Sequence, residues 1–319
     1  MEGVTEQSET SALDPRFNTC GEANAAGYGP ASSSVTARAA DVPATPSIVS
    51  VTPGNQSLAI RFTPSSSNNG STITAYEFSL NGTTWVSKAV GSITNSTVTL
   101  NTLSDGTTAL SNGTTYSVYV RAVNSVGPSA NSTVVNAKPF TIASAPSISS
   151  ALASNGSVTL SFNAPSSDGG SGVTDYEYTI DNGSNWLNRG APDTSTTWTI
   201  SGLNNGTLYT FKVRAINQAG AGTASSQITA TPRTIPGAPT ITSVAPTDQG
   251  VIIHFSAPAS NGGAAVSAYS YTINNGSSWN AVSPSDVSGS EISVSGLTNG
   301  TNYSFKIRAE NVAGTGSAS

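Results

Sequence analysis

The stretch YEYTIDNGSNW, residues 176–186, decides the fold. Tyr176, Tyr178 and Ile180 alternate with polar residues, the chain then meets Asp-Asn-Gly, and the block closes on Trp186. Apolar residues at period two running into a glycine turn spell a strand entering a hairpin. The same block stands at residues 76–85 as YEFSLNGTTW and at 269–279 as YSYTINNGSSW. Its tryptophans, Trp85, Trp186 and Trp279, are 101 and 93 residues apart. A unit of that length suits a sandwich of seven strands and is too long for a helical solenoid repeat.

Outward from this block each copy reads alike. Upstream lies a first core strand with Leu58, Ile60 and Phe62, then Val158, Leu160 and Phe162, then Val251, Ile253 and Phe255. A loop rich in Pro, Asn, Asp and Gly joins it to the block. Downstream comes Leu-x-Asn-Gly-Thr-x-Tyr, at Leu110 to Tyr116, Leu203 to Tyr209 and Leu297 to Tyr303, and the tyrosine opens a strand ending in Arg-Ala. The first copy carries a near-duplicate at Leu103–Thr108; the corner leucine is taken as Leu110, because that geometry is local to the tyrosine, leaving Leu103–Ala109 as an extended loop.

At these residues the chain resembles the fibronectin type III family in the form found on bacterial and phage surfaces. The resemblance implies an all-β fold: tandem immunoglobulin-like (fibronectin type III) β-sandwiches in a rod-like array. It also implies a structural tyrosine corner at Leu110 and Tyr116, Leu203 and Tyr209, and Leu297 and Tyr303, with each phenol bonded back to the main chain. Two departures stand out. Phe62, Phe162 and Phe255 occupy the place where the family carries a core tryptophan, and the integrin motif Arg-Gly-Asp is absent from every loop before the last strand.

The boundaries expected are 1–41, a flexible lead plus the final strand of a truncated repeat; 42–139, repeat one; 140–232, repeat two; and 233–319, repeat three lacking its last strand. Residues 24–38 match 217–231 at a constant offset, so Ser34-Val35-Thr36-Ala37 reads as a last strand without a sandwich of its own. Such a strand suits the open edge of the third repeat in another copy, which makes head-to-tail self-association one expectation; the other, and the simpler, is a fragment cut inside repeats at both ends. Proline-rich linkers (DVPATP, KPFTIASAP, TPRTIPGAP) stiffen the joints.

Composition narrows the function. Charged residues are 9% of the 319, and the net charge is −5 with 12 scattered basic residues, which excludes the clustered basic face of a nucleic-acid binder. One cysteine, Cys20, allows no intrachain disulfide. No run of apolar residues reaches the length of a transmembrane helix, so no membrane insertion is expected in this segment, and the opening MEGVTEQSETSALDP is no secretory signal. An extracellular, cell-surface or virion-surface location is expected, with export information outside the segment.

No catalytic, cofactor or metal site is expected. His254 is the single histidine and faces away from the core on its strand. Asp168-Gly169-Gly170 with Asp175 nearby is the one loop resembling a cation site, yet its counterparts carry no acid and turn chemistry accounts for it. Trp85, Trp186 and Trp279 are the candidate binding residues: an indole on a hairpin can stack on a sugar ring, or it can cover the sandwich edge. Glu77 and Arg121, and Glu177 and Arg214, should form cross-strand pairs on the outer face, while Ser270 leaves Arg308 without that partner. The reading is a non-catalytic spacer or stalk segment of a larger surface-exposed or secreted protein. The alternatives are a carbohydrate-binding or adhesion module and a virion tail or fibre decoration, with glycans or other surface proteins as partners.

Overall fold

A computed structural model of the chain describes residues 23–24, 27–28, 38–282 and 287–319. The lead, Cys20 and the strand expected at Ser34–Ala37 lie outside the described residues. The chain is all-β, in multiple antiparallel sheets, with one 3-10 turn at Val90–Ser92 among the described residues. It falls into two compact units: one holds Ile60–Val98, Ser117–Val135 and the described residues up to and including Val51, the other Thr52–Ala59, Thr99–Tyr116 and Asn136–Ser319.

The second repeat sets the pattern. One sheet orders Ser147–Ser154, Ser157–Asn163 and Thr197–Ser201. The other pairs Asp175–Thr179 with Tyr209–Asn217, whose far edge takes Gly220–Ala221 and then Ile228–Ala230. Alternation places Val158, Leu160 and Phe162 inward from the first sheet and Tyr176, Phe211, Val213 and Ala215 inward from the second, all buried. The third repeat repeats this with Ile253, Phe255, Ile292, Val294 and Ile307. Phe62, Phe162 and Phe255 each lie 4.8 Å, centroid to centroid, from Tyr76, Tyr176 and Tyr269 respectively, so a phenylalanine–tyrosine contact fills the centre of every sandwich.

The strand opened by the motif tyrosine begins at Tyr116 and Tyr209 in the first two repeats but at Lys306 in the third. The ladder explains the difference. Ile228–Ala230 bond Tyr209, Thr210 and Phe211 in repeat two, whereas the chain reaches Ser319 at the position of Ser225. Gly314–Ala318 form a strand against Lys306–Asn311, so the edge at Arg308–Asn311 is paired.

The linkers are held by side-chain clasps that recur. Asn217 Nδ2 donates to the carbonyls of Thr141 and Asp168, and Asn311 Nδ2 donates to those of Thr234 and Asn261. Asn124 does the same with Asp41 and Asn68. At the opposite end, Asn205 of the Leu-x-Asn-Gly motif accepts from Gly156 N and donates to Asn155 Oδ1, and Asn112 makes the matching bonds with Gln56 and Asn55. Glycine then meets glycine: a Cβ built on Gly263 would lie 2.3 Å from Gly206 N, and one on Gly170 would lie 2.3 Å from Gly113 N. These glycines have φ of +86°, +85°, +89° and +84°, which only glycine adopts without strain.

Candidate functional site

Each tryptophan is placed by its hairpin turn. In repeat two the Asp181 carboxylate accepts from Thr179 Oγ1 and from Asn185 N, and Gly183 N donates to Thr179 Oγ1. These bonds hold the Asp181 carboxyl well below the usual carboxylate range, the Thr179 hydroxyl contributing most. The Asn274 side-chain oxygen accepts from Thr272 Oγ1 and Ser278 N in repeat three, and that of Asn81 accepts from Ser79 Oγ and Thr84 N in repeat one. Asn182 and Asn275 take positive φ, which explains asparagine there by turn geometry alone.

The turn delivers the indole onto the outer face of the sheet, over an arginine from the neighbouring strand. Arg121 Cζ lies 4.0 Å from the centre of Trp85, Arg214 Cζ 4.2 Å from Trp186 and Arg308 Cζ 4.2 Å from Trp279. In the first two repeats a glutamate completes the stack. Glu77 is the Cα partner of Arg121 and its Oε2 accepts from Nε and Nη2, both at 2.7 Å. Glu177 takes Arg214 at 2.7 and 2.6 Å in the same register. In repeat three the residue opposite Arg308 is Ser270, and Arg308 Nε is buried with no hydrogen-bond partner among the described residues.

A second stack is confined to repeat two. Trp198 packs edge-on against Tyr178 at 4.1 Å and carries Arg189, whose side chain is 7% exposed, over its face at 4.5 Å. Arg189 also reaches Asp193 Oδ2 and the Ser195 carbonyl. The hydroxyl and backbone N–H of Ser195, and then Arg189, lower the Asp193 carboxyl to about 2. Burial raises the Tyr178 hydroxyl.

The predicted site residues are therefore not brought together into one site. Trp85, Trp186 and Trp279 are half-buried, one per repeat, each with one indole face covered by a guanidinium. The expected Glu–Arg pairs are present, and their union with the tryptophans is what sequence reasoning missed.

The tyrosines sit where the motif places them. Tyr116 Oη accepts from Ser111 N, Tyr209 Oη from Asn204 N and Tyr303 Oη from Thr298 N, each at 3.0 Å. Leu110 is fully buried, and Leu203 and Leu297 are buried beside their tyrosines' turns. Leu103–Ala109 closes as a tight loop with a bridge from Thr102 to Ala109. His254 pairs with Glu291 at 3.1 Å on the sheet's outer face. Asp168 caps its own turn at Gly170 N, and no group of three metal-ligating side chains occurs among the described residues. No helix among the described residues is long and apolar enough to cross a membrane.

The chain is 31% identical over 226 residues to Myomesin-2 of Homo sapiens, covering 66% of this chain and 15% of that protein. It is 34% identical over 171 residues to Chitinase A1 of Niallia circulans (51% and 22%) and 29% identical over 187 residues to Neogenin of Homo sapiens (54% and 12%). The chain thus spans less than a quarter of the length of each. The family described as the tip attachment protein J second Ig-like domain matches residues 44–145. The fibronectin type III domain matches residues 144–231 and 236–319, more than half of the chain, and the protein belongs to the fibronectin type III family.

Proposed function

We propose that this chain is a non-catalytic spacer, a run of sandwiches that sets the distance between other parts of a larger protein exposed on a cell or virion surface. The observation that carries this reading is the joint. Glycine packs on glycine at Gly113–Gly170 and again at Gly206–Gly263, and an asparagine clasp ties each linker to the loop beside it. Side chains without packing partners could sit at a free joint; two left-handed glycines in backbone contact serve a fixed one. The match of residues 44–145 to a phage tip domain supports the virion surface as one setting.

Repeat boundaries at 42–139, 140–232 and 233–319 fit the same reading, since Gly113 meets Gly170 across the first limit between repeats and Gly206 meets Gly263 across the second. Spin labels on repeats two and three test it. A narrow distance distribution that broadens in Asn311→Ala, which frees the linker carbonyl of Thr234, is the expected result. A broad distribution in the parent chain overturns the reading. Carbohydrate binding, suggested by the likeness to a chitinase, has less support because a guanidinium already covers one face of each hairpin tryptophan. Glycan binding lost on Trp186→Ala would favour it instead.

A further inference from the structure

We propose that the outer face of the third repeat holds a receptor for carboxylates built from Arg308 and Lys306, and that its ligand is an extended acidic peptide with carboxylates on alternate residues. Repeats one and two hold the completed arrangement. There the arginine fork is stacked on tryptophan and closed by a glutamate, whose Oε2 takes both Nε and Nη2 at 2.6–2.7 Å. The third repeat keeps the stack, with Arg308 Cζ 4.2 Å from the Trp279 centre, and replaces the acid with Ser270 in the same register. The fork is thereby held in the orientation that accepts a carboxylate while the carboxylate is missing.

The donor is also unsatisfied. Arg308 Nε is buried without an acceptor, and no ion pair reaches Arg308 among the described residues. A guanidinium stays charged at any ordinary pH, so it cannot relieve the deficit by losing its proton. The fork therefore stays without an acidic partner in the free chain, and a carboxylate arriving at it forms a charge-assisted pair. The indole pre-orients the fork, so little conformational freedom is lost on binding.

The neighbours leave room and supply a second cation. Ala281 flanks Ser270 in register and Ala318 flanks Arg308, so the row across the sheet has small side chains on both sides. Lys306 points to the same face two residues along the strand, opposite Thr272, and has no ion pair among the described residues. Two residues of strand span about 6.6 Å, the spacing between alternate side chains of an extended peptide. Glu310 lies two residues to the other side, opposite Ala268, so the second carboxylate of the ligand runs toward Lys306.

The test uses the full chain and two probes, acetyl-Gly-Glu-Ser-Glu-Gly-amide and its Gln-for-Glu counterpart, at low salt. Saturable shifts of the Trp279 indole and Arg308 Nε–H resonances with the Glu peptide alone are expected. Ser270→Glu supplies the residue that repeats one and two carry at this place, so it keeps the fold and weakens binding by at least about tenfold, the effect of about 1.4 kcal/mol. Lys306→Gln weakens it by a few-fold. Equal shifts with the Gln peptide, or undiminished binding to Ser270→Glu, would overturn the proposal. Glucuronate binding as tightly as the peptide overturns the peptide as ligand and assigns the fork to acidic sugars.

Discussion

Arg214 serves two partners at once: its guanidinium lies 4.2 Å from the centre of the Trp186 indole, and its Nε and Nη2 hold Glu177. The planar fork is what makes both contacts compatible. A lysine can supply the charge but neither the flat face nor the two parallel donors. Arg214→Lys should therefore cost about 1 kcal/mol in the melting of repeat two, while Glu177→Gln costs about 0–1 kcal/mol because the pair is partly solvated. A cycle with Trp186→Ala checks the coupling; additive losses would mean that the stack contributes nothing beyond area.

Tyr209→Phe removes the acceptor for Asn204 N–H and nothing else. The expected loss is about 0.5–1.5 kcal/mol by urea denaturation. The same substitution at Tyr116 strands Ser111 N–H and should cost a similar amount. Unchanged stability in both would remove the corner bond from the account of what holds these repeats together.

Gly263 and Gly300 share a left-handed φ, +86° and +80°, but not their surroundings. A Cβ on Gly263 meets Gly206 N at 2.3 Å, whereas one on Gly300 meets nothing within 4 Å. Alanine at 300 should cost only the backbone strain, about 1–2 kcal/mol. At 263 the loss should be larger, and spin-label distances between repeats two and three should broaden as well. Equal costs with unchanged distances would show that the joint yields freely.

The Asp105 carboxyl lies in the loop peculiar to repeat one. The Thr108 hydroxyl, then the backbone N–H groups of Thr108 and Thr107, lower it from 3.8 to about 2. Its pKa is depressed on folding, so its stabilising contribution is complete above about 3.8 and fades as pH falls toward 2. Thr108→Ala should bring the titration of Asp105, followed by carboxyl-carbon NMR, back up toward 3.8.

The sheets were legible because alternation is a local property: Leu58, Ile60 and Phe62, and their counterparts at 158–162, announce an inward face without reference to anything distant. The Glu77–Arg121 pair was legible for the same reason, since both residues sit out of phase with the core. The stacks were not, because a tryptophan after a turn gives no indication of which residue of the next strand it will lie on. Arg189 was less visible still. It reaches Trp198 from an irregular stretch, where no periodicity assigns a face. The glycine contacts at Gly206 and Gly263 escaped too, since each glycine is fully accounted for by its own turn until the second turn is brought beside it.

The clasps at Asn217 and Asn311 take main-chain carbonyls as their acceptors, and the facing glycines offer no side chains at all. These joints ask each repeat only for its own glycine and asparagine, not for a side chain shaped to one particular neighbour. Whole units can therefore be duplicated, lost or exchanged by recombination without any compensating substitution at the seams. Length becomes a quantity that a lineage can adjust in steps of one sandwich, while each step leaves the remaining seams chemically unchanged.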